Sequence, residues 1–338
     1  MWIKNAWYVG GWASEIKLEN ITSKVILNQP LIFYRDSIGN VVAMEDRCCH
    51  RHAPLSKGRI EGDSVRCMYH GLKFDRTGQC IEIPGSNQIK RNMCVQTFPV
   101  VEKHNLIWIW LGNPTLANHD DIINCSFLVD DEWKYTEDYL FYQSDYRLIV
   151  DNLLDASHLN YVHANSIGSN PNTQVPTKTF RTDFGLHVED FWKNDEPAPH
   201  HKKAGNFKGK VDRWNIYDWH IKGNLLVLDS GSAPAGSEGH KGNRFDAVEF
   251  RHLSALTPET EFTTHYYFAH ARNFSLKDKV VTKNISKAVS EAFKEDKDII
   301  EGQQKIINYD PGRKMLAKSS DGPLNWVRKK ITDYTLLE

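Results

Sequence analysis

Two short Cys–His pairs constrain the fold of this chain more than any other feature of its sequence. Cys48 and His50 form a C-x-H pair, and Cys67 and His70, on the far side of residues 51–66, form a C-x-x-H pair. Two thiolates and two imidazoles make a complete set of four metal ligands. A chain that uses all four must bring two separate loops together around one metal group.

The arrangement of these ligands favours an iron–sulfur cluster over zinc, which is the alternative. Zinc sites with two cysteines and two histidines usually pair like with like along the sequence, whereas each loop of this chain contributes one of each. A Rieske [2Fe–2S] cluster requires the mixed pattern, because two thiolates bind one iron and two imidazoles bind the other. The flanking residues 51–56 and 71–75 resemble the Rieske domain of aromatic-ring and demethylating oxygenases.

Length, charge and composition bound the class of protein. With 338 residues, the chain is long enough for two domains. Its net charge of −1 gives no sign of nucleic acid or an anionic membrane surface as a partner. Beyond the two cluster ligands, the cysteines follow no motif, which is typical of reduced cysteines. We predict a cytoplasmic protein with neither a signal peptide nor a membrane span.

The two parts of the chain predict different structures. Residues 1–115 contain short apolar segments separated by turn residues, which is typical of an antiparallel β domain holding the two metal loops. Residues 116–338 mix helical and strand patterns after a polar, acidic linker. We therefore predict an α+β protein with a Rieske domain at 1–115 and a second domain at 116–338.

A second candidate metal site ends at His163. Apolar residues in 148–159 predict a helix, on which Asn152, Asp155 and His158 step by three and share one face. His158 and His163 are about 140° out of phase on an ideal helix. For both to bind one ion, the helix must end or widen between them, for example through a π-type turn. We place its end at 164–168; ordinary core or surface histidines are the alternative.

A third ligand is predicted far downstream. A helix expected to start at Ser275, with Asp278 completing a variant of the capping box, carries an apolar stripe on which Asp296 falls. A carboxylate on a buried face is costly unless it is paired or binds a metal ion. Two histidines and one carboxylate are the ligands of many non-haem Fe(II) sites, so Asp296 is the candidate; an ion pair at the edge of the stripe is the alternative. Its neighbours Glu295 and Lys297 are predicted to point away. The stripe consists of Val289, Ala292, Phe293, Ile299, Ile300, Ile306 and Ile307.

With these segments in view, the sequence resembles the Rieske non-haem iron oxygenases nearly end to end. The D-x-x-H-x4-H and E-D-x4-E segments are similar to the catalytic domain of that family, and the chain looks most like the vanillate O-demethylase, dicamba demethylase and toluenesulfonate methyl-monooxygenase branch. The resemblance implies a helix-grip catalytic domain, in which helices flank an antiparallel sheet. It also implies that His158, His163 and Asp296 bind Fe(II), and that Asn152 lies beside the iron. Asp155 would bridge an iron-ligand histidine to a Rieske histidine of a neighbouring subunit.

The same resemblance implies a function. The chain would be a terminal oxygenase that uses O2 to oxidise a methyl or O-methyl group of a small, anionic aromatic substrate, and it would form a homotrimer. The sequence contains neither a plant-type four-cysteine cluster run nor a G-x-G-x-x-G fingerprint. Electrons from NAD(P)H must therefore enter through a separate flavin- or ferredoxin-type reductase. The alternatives are cis-dihydroxylation of an arene and a non-catalytic Rieske electron carrier.

The substrate pocket is less constrained by the sequence. Trp214 is one of several aromatic residues that can line a cavity, with an ordinary core position as the alternative. Arg251 and His252 can hold a carboxylate or sulfonate, with a structural ion pair as the alternative.

Overall fold

The computed structural model describes residues 2–163, 177–197, 199–205 and 207–337, which divide into two compact units. The first unit comprises Met1–Asn124 with Thr257–Thr260, and the second comprises Cys125–Leu256 with Glu261–Leu337. The domain boundary expected between residues 115 and 116 is not tested by this division and stays a prediction. Among the described residues, no helix is long and apolar enough to cross a membrane.

The described strands of the first unit form three antiparallel sheets. Its strands are β1 (Trp7–Trp12), β2 (Thr22–Ile26), β3 (Gln29–Arg35), β4 (Val41–Glu45), β5 (Arg59–Glu61), β6 (Ser64–Arg66), β7 (Lys73–Phe74), β8 (Cys80–Glu82), β9 (Thr97–Phe98), β10 (Val100–Lys103) and β11 (Leu106–Trp110). The sheet orders are β1-β11-β10, β2-β3-β4-β9 and β5-β6-β7-β8. Every residue of β1 and β11 is buried, because their aromatic and β-branched side chains suit a sheet covered on both faces.

The second unit is built on a seven-stranded sheet with the order β12-β18-β17-β16-β15-β14-β13. Its strands are β12 (Lys134–Tyr142), β13 (Lys178–Arg181), β14 (Gly185–Asp195), β15 (Val211–His220), β16 (Leu225–Pro234), β17 (Val248–Thr260) and β18 (Thr263–Arg272). Its helices are α1 (Tyr146–Leu154), α2 (Leu159–Val162), α3 (Pro199–Ala204), α4 (Lys279–Tyr309) and α5 (Gly322–Leu336). A β unit followed by a sheet with helices confirms the predicted α+β class.

The long helix α4 is tied both to the sheet and to the start of α1. Tyr142 Oη on β12 donates a hydrogen bond of 3.2 Å to the backbone oxygen of Phe293. Gln304 Oε1 accepts a hydrogen bond of 2.9 Å from the backbone nitrogen of Asp145, the N-cap of α1. These contacts fix the rotation and the height of α4 beside α1.

The start of α4 and part of its apolar stripe differ from the prediction. The helix starts at Lys279, because the Asp278 side chain accepts hydrogen bonds from the two backbone nitrogens that open the helix, at 2.8 and 3.1 Å. Ser275 has φ +47 and lies outside the helix, so the predicted start was wrong. Ile299 and Ile306 are 58% and 70% exposed, so they do not belong to the buried stripe. The buried residues of the helix step by four: Ala292, Asp296, Ile300 and Gln304.

Candidate metal centres

The four predicted cluster ligands lie together on two loops of the first unit. Cys48 and His50 follow β4, and Cys67 and His70 follow β6. The imidazole centroids of His50 and His70 are 4.7 Å apart, and the Cys48 and Cys67 thiols are within hydrogen-bonding contact. The structure thus brings together all four side chains that the spacing singled out.

Backbone hydrogen bonds hold both loops in the same shape. The backbone nitrogen of Cys48 donates to the oxygen of Ala53 at 2.9 Å, and that of Cys67 donates to the oxygen of Leu72 at 2.8 Å. The second loop turns at Gly71, whose φ of +75 is a left-handed conformation that favours glycine. Each metal loop is therefore a local turn that fixes the direction of its own cysteine.

The environment of the four ligands fits an iron–sulfur cluster. Cys48 and Cys67 are buried, whereas both imidazoles are exposed. Burial raises the pKa of the Cys48 thiol to about 12, so the thiolate is favoured only where a positive group compensates it. A [2Fe–2S] cluster would supply that compensation, held by the two buried thiolates and the two exposed imidazoles.

The second predicted site forms where α1 ends. Asp155 leaves the helix with φ −119 and ψ 87, and its side chain accepts a hydrogen bond of 3.0 Å from the backbone nitrogen of Ser157. A 3-10 turn over Ala156–His158 and the short helix α2 follow, and His163 comes directly after α2. The helix therefore ends before His158, and the π-type turn suggested between the histidines is wrong. The predicted helix end at 164–168 lies outside the described residues.

This break allows both histidines to face Asp296. His163 Nε2 lies 3.1 Å and His158 Nε2 lies 3.4 Å from Asp296 Oδ1. The ligand atoms of all three residues lie within 4.8 Å of one another. Two ligand atoms that are each about 2.1 Å from an ion, and at right angles, are about 3 Å apart. Two imidazoles and one carboxylate on one side of an ion, with the remaining positions open, fit a non-haem Fe(II) site.

Three further contacts hold these candidate ligands. Asn152 Nδ2 donates a hydrogen bond of 2.9 Å to Asp296 Oδ1. His158 Nδ1 lies 2.6 Å from the backbone oxygen of Asp155, and His163 Nδ1 lies 2.7 Å from Glu295 Oε2. Because both Nδ1 atoms are occupied in this way, both Nε2 atoms are left to face the ion.

Glu295 was predicted to point away, and that prediction was wrong. Its Cα lies on a different side of α4 from Asp296, as the helical period requires, but its longer side chain reaches round to His163. The helical period describes where side chains start and not where their charged ends lie. The only signal in the sequence was that the two carboxylates are consecutive.

The carboxylate of Asp155 is paired with a cation. Lys318 Nζ lies 2.8 Å from Asp155 Oδ2, and donates a hydrogen bond of 2.6 Å to Ser157 Oγ. Burial acts to raise the pKa of the Asp155 carboxyl, but the hydrogen bonds from Lys318 and Ser157 outweigh it and hold the pKa below its usual range. Asp155 therefore carries a negative charge at neutral pH. Its contact with His158 runs through the backbone oxygen, whereas the sequence suggested the carboxylate.

The three predicted pocket residues have different surroundings. Trp214 is buried, and its Nε1 donates a hydrogen bond of 2.8 Å to Asp229 Oδ1. Arg251 pairs with the same aspartate, and its guanidinium lies 5.1 Å from the ring of Trp133. His252 is buried, and its ring lies 5.4 Å from that of Phe293. Of the three, only His252 is thereby linked to the face of α4 that carries Asp296, and the pocket roles of all three stay predictions.

Comparisons with known proteins match both parts of the chain. The chain matches the model of the Rieske [2Fe-2S] domain over residues 6–99, and that of the vanillate O-demethylase oxygenase C-terminal domain over residues 142–332. It is 46% identical to the toluene-4-sulfonate monooxygenase system iron-sulfur subunit TsaM1 of Comamonas testosteroni, covering 96% of this chain and 94% of that protein.

Two further similarities extend over nearly the whole chain. The vanillate O-demethylase oxygenase subunit of Pseudomonas sp. strain HR199 is 32% identical, covering 95% of this chain and 91% of that protein. The crystal structure of dicamba monooxygenase with non-heme iron and dicamba superimposes with a TM-score of 0.84 at 29% identity, covering 99% of this chain and 98% of that one. The two family models match successive parts of the chain, and both Cys–His loops are in place. The chain therefore belongs to the Rieske non-haem iron oxygenases, as an oxygenase component in the group of toluenesulfonate monooxygenase, vanillate O-demethylase and dicamba O-demethylase.

Proposed function

We propose that this chain is a terminal oxygenase that oxidises a methyl or O-methyl group of a small aromatic acid, with O2 as oxidant and electrons from a separate NAD(P)H reductase. The observation that carries the proposal is the convergence of His158, His163 and Asp296 in a chain that also holds a Rieske ligand set. A pure electron carrier has no use for an open metal site. Relatives named for toluene-4-sulfonate, vanillate and dicamba support an aromatic acid as substrate.

Two separate sets of residues would hold two metal groups with different roles. Cys48, His50, Cys67 and His70 would hold the [2Fe–2S] cluster, and His158, His163 and Asp296 would hold Fe(II). When bound, the cluster supplies single electrons and Fe(II) supplies the activation of O2 beside the substrate. Hydroxylation of a methyl group gives an alcohol. If that methyl group is bonded to oxygen, the product is a hemiacetal, which splits into a phenol and formaldehyde.

Asp155 is proposed to connect the two groups across a subunit boundary in a homotrimer. An anionic carboxylate accepts hydrogen bonds and can hold an imidazole N–H in a fixed direction. The exposure of His50 and His70 supports contact with another chain, and His70 is the proposed donor toward Asp155. In this arrangement, the cluster held by one chain would supply electrons to the iron held by its neighbour.

Mixed assemblies test the subunit boundary. Asp155→Asn chains and Cys67→Ser chains, each expected to turn over at most about 1% as fast as the wild type when alone, are co-expressed with different affinity tags and purified through both. Electron transfer between subunits predicts recovered turnover, because the intact cluster of one chain serves the intact Asp155 of the other. Transfer within a chain predicts none, and would overturn the trimer arrangement.

His252 is proposed to place an uncharged imidazole beside the acidic group of the substrate. Burial, together with the nearby His270, lowers the pKa of His252 well below its ordinary value, so the imidazole is neutral at pH 7. Its Nε2 lies 2.9 Å from Ser254 Oγ, which lies 2.7 Å from Tyr266 Oη. Since the neutral imidazole of His252 does not change its charge between pH 6 and 8, the KM for the substrate should stay constant over that range. A KM that rises with pH through 6.5 would indicate a charged imidazolium instead.

Iron content and product labelling test the reaction itself. The proposal requires about three irons per chain, whereas a carrier with a cluster alone holds about two. Toluene-4-sulfonate and vanillate should be turned over with the reductase and labelled O2, and one labelled oxygen atom should enter the alcohol from toluene-4-sulfonate or the formaldehyde from vanillate. Two labelled atoms would indicate cis-dihydroxylation. Two irons per chain, with no turnover of either compound, would contradict the proposal.

A further inference from the structure

The two candidate histidine ligands differ in what lies behind them. His158 Nδ1 meets a neutral backbone oxygen, that of Asp155, at 2.6 Å. His163 Nδ1 meets a carboxylate oxygen, Glu295 Oε2, at 2.7 Å. Since Nε2 of each ring would bind the ion through its lone pair, Nδ1 carries the proton and donates it in both hydrogen bonds. Only one of the two imidazoles is therefore backed by a negative charge.

We propose that Glu295 is the positioning residue of His163, and that it makes this imidazole the stronger of the two histidine donors to the metal ion. The proposal rests on the ligand role of His163 put forward above. A carboxylate that accepts the Nδ1 proton fixes the tautomer and the ring orientation, and raises the electron density at Nε2. A backbone oxygen fixes the tautomer as well, but carries no net charge.

The positions of Glu295 and Asp296 on α4 restrain the His163 ring from both of its nitrogens. Consecutive residues of one helix reach both nitrogens of one ring: Glu295 lies at Nδ1, and Asp296 Oδ1 lies 3.1 Å from Nε2. The His163 ring is 1% exposed, so water does not compete for either nitrogen. Any rotation of the ring would break the hydrogen bond to Glu295 or turn Nε2 away from the ion position beside Asp296.

Charge adds to this effect. A divalent ion bound by two neutral imidazoles and the Asp296 carboxylate keeps a net charge of about +1. Glu295 adds a second negative charge, so the ion with its surroundings becomes neutral without a fourth protein ligand. Removing the Glu295 charge should therefore weaken the binding of a divalent ion even if the ring does not move.

The test measures metal affinity separately from turnover. Protein stripped of mononuclear iron, with its cluster intact and oxidised, is titrated with Co(II) against a competing chelator, and bound Co(II) is observed by electron paramagnetic resonance. Loss of such an outer partner typically costs 10- to 100-fold in metal affinity. We expect about tenfold weaker binding for Glu295→Gln, which keeps an oxygen acceptor, and about 100-fold for Glu295→Ala. The resonance should shift in both variants.

Glu291→Gln is the matched control. Glu291 lies one turn earlier on the same helix, is exposed, and pairs with Lys287 at 3.7 Å. This variant should bind Co(II) as the wild type does. If Glu295→Gln and Glu295→Ala also bind with wild-type affinity and an unchanged resonance, the inference is overturned while the iron site stands. If the wild type and His163→Ala bind Co(II) equally, the ligand role of His163 itself is wrong. Should the alanine variant not fold, the glutamine variant decides.

Discussion

The two candidate metal sites are held by different parts of the polypeptide. In the Rieske loops, backbone hydrogen bonds within each turn fix Cys48 and Cys67, and the partners are five residues away in the chain. In the helical site, side chains hold the ligands, and Asn152 reaches Asp296 across 144 residues of sequence. The first kind of site depends on local backbone conformation, and the second on the folding of the whole unit around it.

The strongest test of this separation is Asp296→Ala. We expect loss of mononuclear iron and a fall in turnover of at least about 1,000-fold, since a divalent ion loses the anionic ligand of this set. The visible spectrum of the Rieske cluster should not change, because its ligands belong to separate loops. Iron analysis and absorption spectra measure both, and the exposed Asp298→Ala on the same helix is the control. Full iron content in Asp296→Ala would remove this residue from the ligand set.

Asp155→Asn tests the connection between the sites. Both metal groups should remain, but turnover should fall by about 100-fold, because an amide does not replace a charged acceptor toward the Rieske imidazole of the neighbouring chain. Lys318→Met is the control, since it removes the ion pair of 2.8 Å and keeps the carboxylate. Rapid-mixing measurements of cluster oxidation should show slow electron transfer only in Asp155→Asn. Equal rates in the wild type and Asp155→Asn would refute the bridge.

Asn152→Ala tests whether side chains set the affinity of the helical site. Loss of its hydrogen bond of 2.9 Å to Asp296 frees the carboxylate to rotate, so iron affinity should fall by about tenfold. Chelator competition measures this, with the cluster spectrum as an internal reference. An unchanged affinity would show that α4 positions Asp296 without help.

Gly71→Ala makes the corresponding test of the backbone-held site, with the smallest expected effect. At φ +75, an added Cβ would lie 2.6 Å from Pro84 Cγ, and we expect about 2 kcal/mol of destabilisation. Gly62→Ala is matched, since its φ is +63 but nothing lies within 4 Å of the added atom, so about 1 kcal/mol is expected. Thermal loss of the cluster absorption reports both. If Gly71→Ala melts no lower than Gly62→Ala, contact with Pro84 does not shape the loop.

The same difference explains how far sequence reasoning reached. The spacing of Cys48, His50, Cys67 and His70 predicted ligands that the structure brings together, because a local turn is encoded by neighbouring residues. The sequence also pointed to Asp296, through its place on an apolar stripe. It did not predict Glu295 behind His163, because the reach of a long side chain depends on what a distant segment places beside it.

The boundaries of the helices were harder to predict from the sequence than the identities of the metal ligands. Ser275 and Asp278 both suit a helix start, and the choice depends on the left-handed φ of +47 at Ser275, which neighbouring structure imposes. The break at Asp155 was expected more than three residues later, between His158 and His163. At Asp155 and at Asp278, the aspartate side chain accepts hydrogen bonds from the backbone nitrogens that follow it. Several residues nearby in the sequence could accept such bonds as well, so the sequence alone did not single out these two.

The attachment of α4 to α1 at two levels limits how this protein can change over time. Gln304 holds the start of α1 and Asp296 holds its end, through Asn152. The separation of eight residues between 296 and 304 on one helix is thus matched to the separation of seven residues between 145 and 152 on the other. Single substitutions leave that match intact, whereas one inserted residue would turn the helix by about 100° and separate the carboxylate from both histidines. Related sequences should therefore differ in the residue identities of these two segments far more often than in the lengths of the segments.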